Sequence, residues 1–407
     1  MKQANSILSG MGTSIFETMS RLAREHDAIN LGQGFPDSRG PAEVLQVAAE
    51  ALLDKPNQYP PMMGIPELRQ AVAAHNKRFY DFDVDWQTET LVTTGATEAL
   101  AASLFGLIEP GDEVVLIAPL YDSYLPIVRR AGGVPRIVEV RPPDWTLPRE
   151  ALADAIGLRT KLLLLNTPMN PAGKVFTRDE LAFLADLLIR HDVYAVCDEA
   201  YEHIVFDGQE HVPLMSLPGM RDRTVRIGSA GKTFSMTGWK VGYVTASPPL
   251  VAALAKAHQF LVFTTAPNLQ HAVAFGLTQD DVYFDTLAAD LQAKRDRLAS
   301  GLSRIGFDVL PTGGTYFLNA GFAGLGIDGD DATVCETLTR DAHVATIPVS
   351  AFVPGGGTPG WLRFCFAKQD SVLDEAVARL ARYFGVDDAA TAPSSADEPL
   401  QLATRTG

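Results

Sequence analysis

Short apolar runs alternate with longer stretches of helical character from about residue 45 to about residue 280. The apolar runs have the length and composition of buried strands, and they lie near 90–94, 113–118, 135–140, 161–165, 194–198, 224–228 and 241–246. The predicted helices include 66–80, 98–108, 177–190 and 281–304. Because strands that alternate with crossover helices form parallel sheets, we predict an α/β fold with a mostly parallel seven-stranded sheet flanked by helices.

The length of the chain, 407 residues, exceeds what one simple hydrophobic core accommodates. We predict a large domain over 46–284 and a second, smaller α+β domain over 285–386, to which an N-terminal segment, 1–45, contributes. Two domains of this kind can close over a substrate and exclude water. Residues 387–407 are small and polar, contain proline and show no apolar period, so we expect a disordered tail there.

The net charge is −15, and no basic stripe or recognisable DNA-reading motif is present, so nucleic acid is not an expected partner. No window reaches the roughly 20 apolar residues of a membrane span. We therefore expect a soluble, cytoplasmic protein that does not bind membranes.

The three cysteines, Cys197, Cys335 and Cys365, form no CxxC pair, which argues against a disulfide framework or a thiolate catalyst. His203 and His211 have no third ligand in a matching pattern, so no metal site is predicted.

Lys232 lies in the most informative segment of the chain, Ser229–Ser235, which follows the predicted strand 224–228. Most lysines are solvated surface charges. A lysine serves as a Schiff-base nucleophile only where its amine can lose a proton near neutral pH, which requires partial burial, nearby positive charge and little bulk. Ala230 and Gly231 leave space around the side chain, so Lys232 is a candidate covalent anchor.

Polar groups also follow three other predicted strands, at the point where each strand ends. Gly95-Ala96-Thr97 opens an alanine-rich helix, and the free N–H groups and dipole of such a helix start bind phosphate. Asn166–Gly173 follows a second strand, and Asp198–Tyr201 follows a third. Because the carboxyl ends of parallel strands form the crevice in which ligands bind, we expect these residues to converge.

Taken in order, these motifs resemble those of the class I and II aminotransferases, and within that family the kynurenine and methionine aminotransferase branch. Members of the family use pyridoxal 5′-phosphate (PLP) on the aspartate-aminotransferase fold, also called fold type I. The resemblance extends from about residue 15 to about residue 380 and rests on Ile29–Asp37, Asn57–Tyr59, Gly95–Thr97, Asn166–Gly173, Asp198–Tyr201, Ser229–Lys240 and Arg363–Phe366. One such motif alone would be a weak signal, whereas the ordered set is specific.

The resemblance implies roles for the residues around the cofactor ring. Lys232 would hold PLP as the internal aldimine and, once substrate releases it, would move a proton between the substrate α-carbon and the cofactor. Asp198 would pair with the pyridine nitrogen and keep it protonated. Tyr201 and Asn170 would donate hydrogen bonds to the phenolic oxygen, and Tyr121 would stack on the ring.

The resemblance also implies how the cofactor phosphate and the substrate are held. The phosphate would be bound by Gly95, Ala96, Thr97, Ser229, Lys240 and, from a neighbouring subunit, Tyr59, so the site would require a homodimer with shared active sites. Lys240 stands where aspartate aminotransferases usually carry arginine, a departure that the kynurenine branch shares. Arg363 would bind the substrate α-carboxylate, with the Gly34 backbone and Asn170 close by.

The substrate side chain is expected, by similarity, to meet apolar and aromatic residues, namely Ile15, Phe16, Tyr59 and Phe352. No arginine is recognisable as the second carboxylate binder of dicarboxylate-specific relatives. This favours a ping-pong transfer of the amino group from methionine, an aromatic amino acid, kynurenine or glutamine to a 2-oxo acid.

Three alternatives to this function stay open. The first is an N-succinyldiaminopimelate aminotransferase, because some of these enzymes share the whole motif set. The second is a cysteine-S-conjugate or cystathionine-type β-lyase, which would use the same PLP site to expel a sulfur leaving group. The third is a non-catalytic binding or regulatory protein built on the same fold.

Overall fold

The structure is a computed structural model that describes residue 2 and residues 4–386. The predicted disordered tail, 387–407, lies outside the described residues. The α-helices of the described part are α1 (Ser6–Ser9), α2 (Ile15–Glu25), α3 (Ala42–Asp54), α4 (Pro66–Tyr80), α5 (Gly95–Leu107), α6 (Tyr124–Arg130), α7 (Arg149–Ala155), α8 (Arg178–Arg190), α9 (Ala230–Thr233), α10 (Pro248–Leu261), α11 (Pro267–Gly276), α12 (Asp281–Ile305), α13 (Asp331–Asp341) and α14 (Asp370–Phe384).

The strands of the described residues belong to three sheets. In chain order they are β1 (Ile29–Asn30), β2 (Thr90–Thr93), β3 (Glu113–Ala118), β4 (Val134–Glu139), β5 (Thr160–Asn166), β6 (Tyr194–Asp198), β7 (Thr224–Ser229), β8 (Gly242–Thr245), β9 (Asp308–Val309), β10 (Phe317–Gly321), β11 (Val344–Ala345), β12 (Ile347–Pro348) and β13 (Trp361–Cys365).

The central sheet has seven strands in the order β2-β8-β7-β6-β5-β3-β4. Neighbouring strands from β7 to β4 are parallel, whereas β8 runs antiparallel to both β2 and β7. Leu162–Leu165 in β5 are all buried, as expected of a strand covered by helices on both faces. The predicted α/β class and mostly parallel seven-stranded sheet are therefore confirmed.

Local signals explain where several helices begin and end. Pro66 occupies the first turn of α4, and Thr177 and Glu180 form a reciprocal capping box at the start of α8. The helix predicted at 98–108 begins three residues earlier, at Gly95. The Glu98 side chain accepts a hydrogen bond from the Thr94 N–H at 3.0 Å. This bond stabilises the first turn of α5, which begins at a glycine and is not predicted from helix propensity alone.

A second, smaller region of α+β character contains an antiparallel sheet, β12-β13-β10-β9, and the parallel pair β1-β11. Its hydrophobic core joins α2, α12, α13 and α14 and also includes Tyr201 and Ile204, which lie in the segment after β6. The carboxyl end of the central sheet therefore lies against this second region.

Helix α12 runs across the predicted boundary at 284/285, and the division into 1–45, 46–284 and 285–386 stays a prediction. None of the helices in the described part of the chain is long and apolar enough to cross a membrane.

Candidate active site

Polar residues from the ends of neighbouring strands line a cavity of about 210 Å³ at the carboxyl edge of the central sheet. Asn166 ends β5, Asp198 ends β6 and Ser229 ends β7. The lining also includes Gly95, Ala96, Thr97, Tyr121, Asn170, Tyr201, Lys232 and Lys240. The fold thus brings together segments that are more than a hundred residues apart in the sequence.

Lys232 lies in the single turn α9, directly after β7. Its amine donates a hydrogen bond to the Tyr316 hydroxyl at 2.8 Å and lies 3.5 Å from the carbonyl oxygen of Gly34. Burial lowers the pKa of Lys232 to about 8, because desolvation penalises the ammonium form more than the nearby Asp198 carboxylate stabilises it. A lysine with this pKa has a substantial fraction of neutral, nucleophilic amine near physiological pH.

The absence of a side chain at Gly231, the residue before Lys232, affects the packing of the backbone and not the space around the lysine amine. A Cβ added at Gly231 would lie 3.0 Å from the Cα of Thr237. The small residue therefore allows the close approach of the backbone that follows α9, whereas the sequence suggested that it makes room for the lysine amine.

Asp198 is buried at the base of the cavity. One carboxylate oxygen accepts a hydrogen bond from the Tyr124 hydroxyl at 2.7 Å, and the other accepts one from the Ala200 N–H at 3.2 Å. Burial raises the pKa of Asp198, and these two donors oppose that shift by stabilising the anion. Tyr124 was not predicted as a site residue, because it is 74 residues from Asp198 in the sequence and only the fold joins them.

Arg363 in β13 is buried and makes two of the hydrogen bonds that its guanidinium can donate. One nitrogen binds the Asn170 side-chain oxygen at 2.9 Å and another binds the Gly32 carbonyl at 2.6 Å. Its Nε is buried without a hydrogen-bond partner among the described residues. Burial lowers the pKa of Arg363 to about 10, which still leaves it charged at neutral pH. A buried cation with an unused donor suits a ligand carboxylate.

Aromatic rings surround the Arg363 guanidinium. Its central carbon lies 3.9 Å from the ring centroid of Phe317, 5.0 Å from that of Phe352 and 5.2 Å from that of Phe16. The predicted substrate-facing residues Phe16 and Phe352 thus lie beside the predicted carboxylate binder, and Ile15 packs against the same core. Gly34 lines the same cavity as Arg363. Arg363 itself contacts the Gly32 carbonyl, whereas the Gly34 carbonyl contacts Lys232 and Tyr316.

The start of α5 forms a cradle of backbone groups. Gly95 has a φ of +75°, and a Cβ there would lie 3.4 Å from the amine nitrogen of Lys240. A Cβ on Gly242 would come within 2.7 Å of the Gly95 carbonyl carbon and 2.9 Å of the Ala96 nitrogen. The two glycines therefore permit a close approach that leaves the first N–H groups of the helix facing the cavity with Ser229 and Lys240.

Tyr59 lies apart from the other predicted site residues. Its side chain is 84% exposed and makes an edge contact with Phe263, and it does not line the cavity of its own chain. A role for Tyr59 at a phosphate therefore requires a second copy of the chain, as the resemblance implies.

His203 and His211, for which the sequence predicts no metal site, belong to a buried polar network. His203 Nε2 lies 2.7 Å from His75 Nε2, and His211 Nε2 lies 2.9 Å from Glu199. His75, Glu202 and His203 bring three ligand-type atoms within 4.8 Å of one another, a grouping that the sequence did not reveal because His75 is distant in the chain. The Glu202 carboxylate accepts hydrogen bonds from Arg226, Tyr80 and Tyr243, which leaves it poorly available to a metal ion.

The groups around the cavity fit the cofactor that the resemblance implies. A cradle of N–H groups and the cation of Lys240 suit a phosphate, the Asp198 carboxylate suits a protonated ring nitrogen, and the Lys232 amine suits an aldehyde. Tyr201 also lines the cavity, and its burial raises the pKa of its hydroxyl, so this group remains a hydrogen-bond donor.

Comparison with protein families gives one match over most of the chain. The family model described as aminotransferase class I and II matches residues 26–380.

Three curated proteins illustrate the similarity. A probable N-succinyldiaminopimelate aminotransferase, DapC, of Mycobacterium tuberculosis is 44% identical over 389 residues, covering 92% of this chain and 97% of that protein. The methionine aminotransferase of Escherichia coli is 39% identical, again over 92% of this chain and 97% of that protein. Kynurenine–oxoglutarate transaminase 3 of Rattus norvegicus is 38% identical over 91% of this chain and 88% of that protein.

Solved structures give the same picture. The structure of N-succinyldiaminopimelate aminotransferase from Mycobacterium tuberculosis matches with a TM-score of 0.91 and 44% identity, over 94% of this chain and 100% of that one. An Escherichia coli protein with methionine aminotransferase function matches with a TM-score of 0.91 and 38% identity, over the same shares of the two chains.

Proposed function

We propose, from the premise that this chain belongs to the class I and II aminotransferases, that it moves the amino group of a neutral L-amino acid to a 2-oxo acid. PLP-dependent aminotransferase activity follows from the family itself. When bound, PLP supplies an electrophilic carbonyl carbon and an electron-accepting ring. The observation that best supports the choice of site is that Lys232 lines both the cavity containing Asp198 and the adjoining one containing Arg363.

We propose that the start of α5 and the groups facing it hold the cofactor phosphate. The N–H groups of Ala96 and Thr97 lack partners within the helix, and Gly95 leaves space beside them. The Ser229 hydroxyl and the Lys240 ammonium line the same cavity and would complete the set. Lys240 would contribute a point charge, in contrast to the fork of an arginine.

The ring of the cofactor would be oriented by side chains from three strand ends. Asp198 would bind the ring nitrogen and favour its protonated form, and the hydrogen bonds from Tyr124 and Ala200 stabilise the anionic carboxylate that this contact requires. Tyr201 and the Asn170 amide would donate hydrogen bonds to the phenolic oxygen. Tyr121, which lines the cavity, would pack on the ring face.

Lys232 would have two tasks that its position and pKa support. Its neutral amine would bond covalently to the cofactor, and its Nζ would later move a proton at the substrate α-carbon. Arg363, which lines the adjoining cavity, would bind the α-carboxylate through the N–H groups that Asn170 and the Gly32 carbonyl leave unused. These two contacts would fix the α-carbon relative to the proton carrier.

The proposed donors are methionine, aromatic amino acids, kynurenine and glutamine. Phe16, Phe317 and Arg363 line the cavity that adjoins Lys232, and Phe352 packs beside them. Among the described residues lining this cavity, the only cations are Lys232 and Arg363, both of which already have a role. A second carboxylate on the substrate would meet Glu17 and Asp122 there, which disfavours dicarboxylates by like-charge repulsion.

The 44% identity to a probable N-succinyldiaminopimelate aminotransferase supports a second candidate donor. That substrate carries carboxylates beyond the one that Arg363 would bind, so it would require cations from another part of the assembly.

We propose a homodimer in which Tyr59 of one subunit reaches the phosphate site of the other. The side chains of Tyr59, Phe260 and Leu53 are more than 80% exposed, at 84%, 83% and 82%. Tyr59 contacts Phe263, which ends the run of exposed apolar residues 260–263, and a contiguous apolar surface of this kind favours burial at an interface. The expected cytoplasmic location stays a prediction that cell fractionation would test.

A donor screen by absorption spectroscopy tests the proposed function. Each amino acid is added alone to the PLP-loaded protein, and a 2-oxo acid is added afterwards. We expect methionine and aromatic amino acids to change the cofactor spectrum and the 2-oxo acid to restore it. A faster response to N-succinyldiaminopimelate would favour the second candidate. Pyruvate, ammonia and a thiol formed from a cysteine conjugate without any acceptor would favour a β-lyase.

A further inference from the structure

Tyr316 makes a contact with Lys232 that the sequence did not indicate. It directly precedes β10, is fully buried, and its hydroxyl lies 2.8 Å from Lys232 Nζ and 2.7 Å from the carbonyl oxygen of Gly34. A carbonyl oxygen can only accept, so the single hydroxyl proton of Tyr316 is committed to Gly34. The Tyr316 oxygen is therefore left to accept a hydrogen bond from the Lys232 amine.

The backbone around Tyr316 holds its ring in place. The Thr315 N–H binds the Ile204 carbonyl at 2.9 Å, and the Tyr316 carbonyl accepts from the Phe366 N–H at 3.0 Å. The Tyr201 and Tyr316 rings meet edge to face with centroids 5.1 Å apart. Tyr316 is thus fixed by neighbours on both sides and contacts both Lys232 and the Tyr201 ring.

We propose that Tyr316 is a positioning residue, which holds the amine of Lys232 beside the Gly34 carbonyl whenever that amine is not bonded to the cofactor. The inference rests on the proposed function, in which Lys232 alternates between a covalent anchor and a free proton carrier. The four-carbon side chain of a lysine is flexible and has high rotamer entropy, so its amine leaves this position unless a partner binds the nitrogen. A held amine remains close to the substrate α-carbon and needs no conformational search before each proton transfer.

The same segment of backbone also contacts the predicted carboxylate binder. Arg363 donates to the Gly32 carbonyl at 2.6 Å, while Tyr316 donates to the Gly34 carbonyl. A Cβ at Gly34 would lie 2.7 Å from the Phe317 ring, so the segment is packed closely at this point. Tyr316 therefore ties the position of the Lys232 amine to the backbone that also supports Arg363.

The test compares Tyr316→Phe with a matched control, Tyr283→Phe. The Tyr283 hydroxyl donates to the Thr233 carbonyl at 2.8 Å, so the control also loses a hydroxyl-to-carbonyl bond near Lys232 without a contact to its amine. In the PLP-loaded Tyr316→Phe protein, we expect kcat to fall roughly 10- to 100-fold with little change in KM, the range for misplacing a reacting group. The kinetic isotope effect of an α-deuterated amino acid should also rise.

A second readout does not depend on turnover. The full-length protein freed of PLP is treated with an acylating reagent over a range of pH, and the modification of Lys232 is read by peptide mass spectrometry. Loss of the Tyr316 acceptor removes an interaction that favours the ammonium form, so the pH midpoint of labelling should move downward in Tyr316→Phe. The midpoint should stay at the wild-type value in Tyr283→Phe.

Two outcomes separate this inference from the proposed function. A Tyr316→Phe protein that binds PLP and keeps the wild-type kcat, isotope effect and labelling midpoint would overturn the inference. A wild-type protein that transaminates no amino acid, but whose Lys232 labelling still depends on Tyr316, would contradict the proposed function and support the contact. Retained PLP binding shows that a variant is folded.

Discussion

At the scale of single residues, three ionisable side chains share one crevice and respond differently to burial. Burial lowers the pKa of Lys232 to about 8 and that of Arg363 to about 10. It raises the pKa of Asp198, where hydrogen bonds from Tyr124 and Ala200 oppose the shift. Lys232 is therefore the basic group whose charge changes just above neutral pH, while Arg363 stays a guanidinium.

The rate at which PLP binds covalently to the cofactor-free protein should follow the protonation of Lys232. Only the neutral amine attacks an aldehyde, and its fraction grows as pH rises through the pKa. We expect the second-order rate constant to rise up to a pH of about 8 and then to level off. Stopped-flow absorption measures this profile. A rate that keeps rising to the ordinary lysine pKa of about 10.4 would argue against the depressed pKa.

Asp198→Ala should reduce turnover far more than cofactor occupancy. The proposed task of this carboxylate is electronic, whereas the phosphate cradle and Lys232 would supply most of the binding. We expect kcat to fall roughly 10²- to 10³-fold, as when a preorganised electrostatic group is removed. Steady-state kinetics and PLP stoichiometry measure the two quantities. The control Tyr124→Phe removes only one hydrogen bond to Asp198 and should have a smaller effect. Equal turnover in Asp198→Ala and wild type would remove the assigned role.

At the scale of elements, the sequence predicted the central sheet because most of its strands are largely apolar runs between helices, although β4 and β7 each include an arginine. The candidate residues at the ends of these strands were recognisable for the same reason. The short strands of the second region, such as β9 and β12, have two residues each and carry no periodicity to detect. Tyr124 and Tyr316 escaped prediction because they meet Asp198 and Lys232 across 74 and 84 residues of chain. Contacts of this kind depend on the fold and leave no local pattern.

Gly242→Ala tests the cradle formed by β8 and α5. The added Cβ would come within 2.7 Å of the Gly95 carbonyl carbon, and forcing a methyl group into such a contact costs about 1–3 kcal/mol. We expect weaker PLP binding, because the displaced atoms belong to the start of α5. The control is Gly238→Ala, where an added Cβ meets nothing within 4 Å. Equilibrium titration with PLP measures both variants. Equal affinities would show that the close approach of the two glycines is not required.

At the scale of the whole molecule, the candidate site lies where the central sheet meets the second region. Asp198 ends β6 and Lys232 follows β7 of the central sheet, whereas Tyr316 precedes β10 and Arg363 lies in β13 of the second region. Tyr59 is 84% exposed and does not line this crevice, and its place at the phosphate of a neighbouring subunit stays a prediction. The sequence alone could not show which apolar side chains stay exposed, since exposure depends on how the helices pack.

Hybrid dimers test the shared site. A subunit carrying Lys232→Ala is mixed and reassembled with a subunit carrying Tyr59→Ala. If Tyr59 acts across the interface, the site that keeps Lys232 regains an intact Tyr59 from its partner. Its PLP affinity should then recover from the weak value of the Tyr59→Ala homodimer. If Tyr59 acts within its own chain, every hybrid site lacks one of the two residues and no recovery will be seen.

The transfer of ¹⁵N from a labelled donor is the most direct test of the central claim, that this protein is an aminotransferase acting through Lys232. PLP-loaded protein is incubated with ¹⁵N-methionine and 2-oxoglutarate, and the product is analysed by mass spectrometry. The account predicts ¹⁵N-glutamate from the wild type and none from Lys232→Ala. Equal transfer by the two proteins would contradict the role of Lys232. Absence of transfer from methionine and from every other amino acid tried would contradict the activity itself.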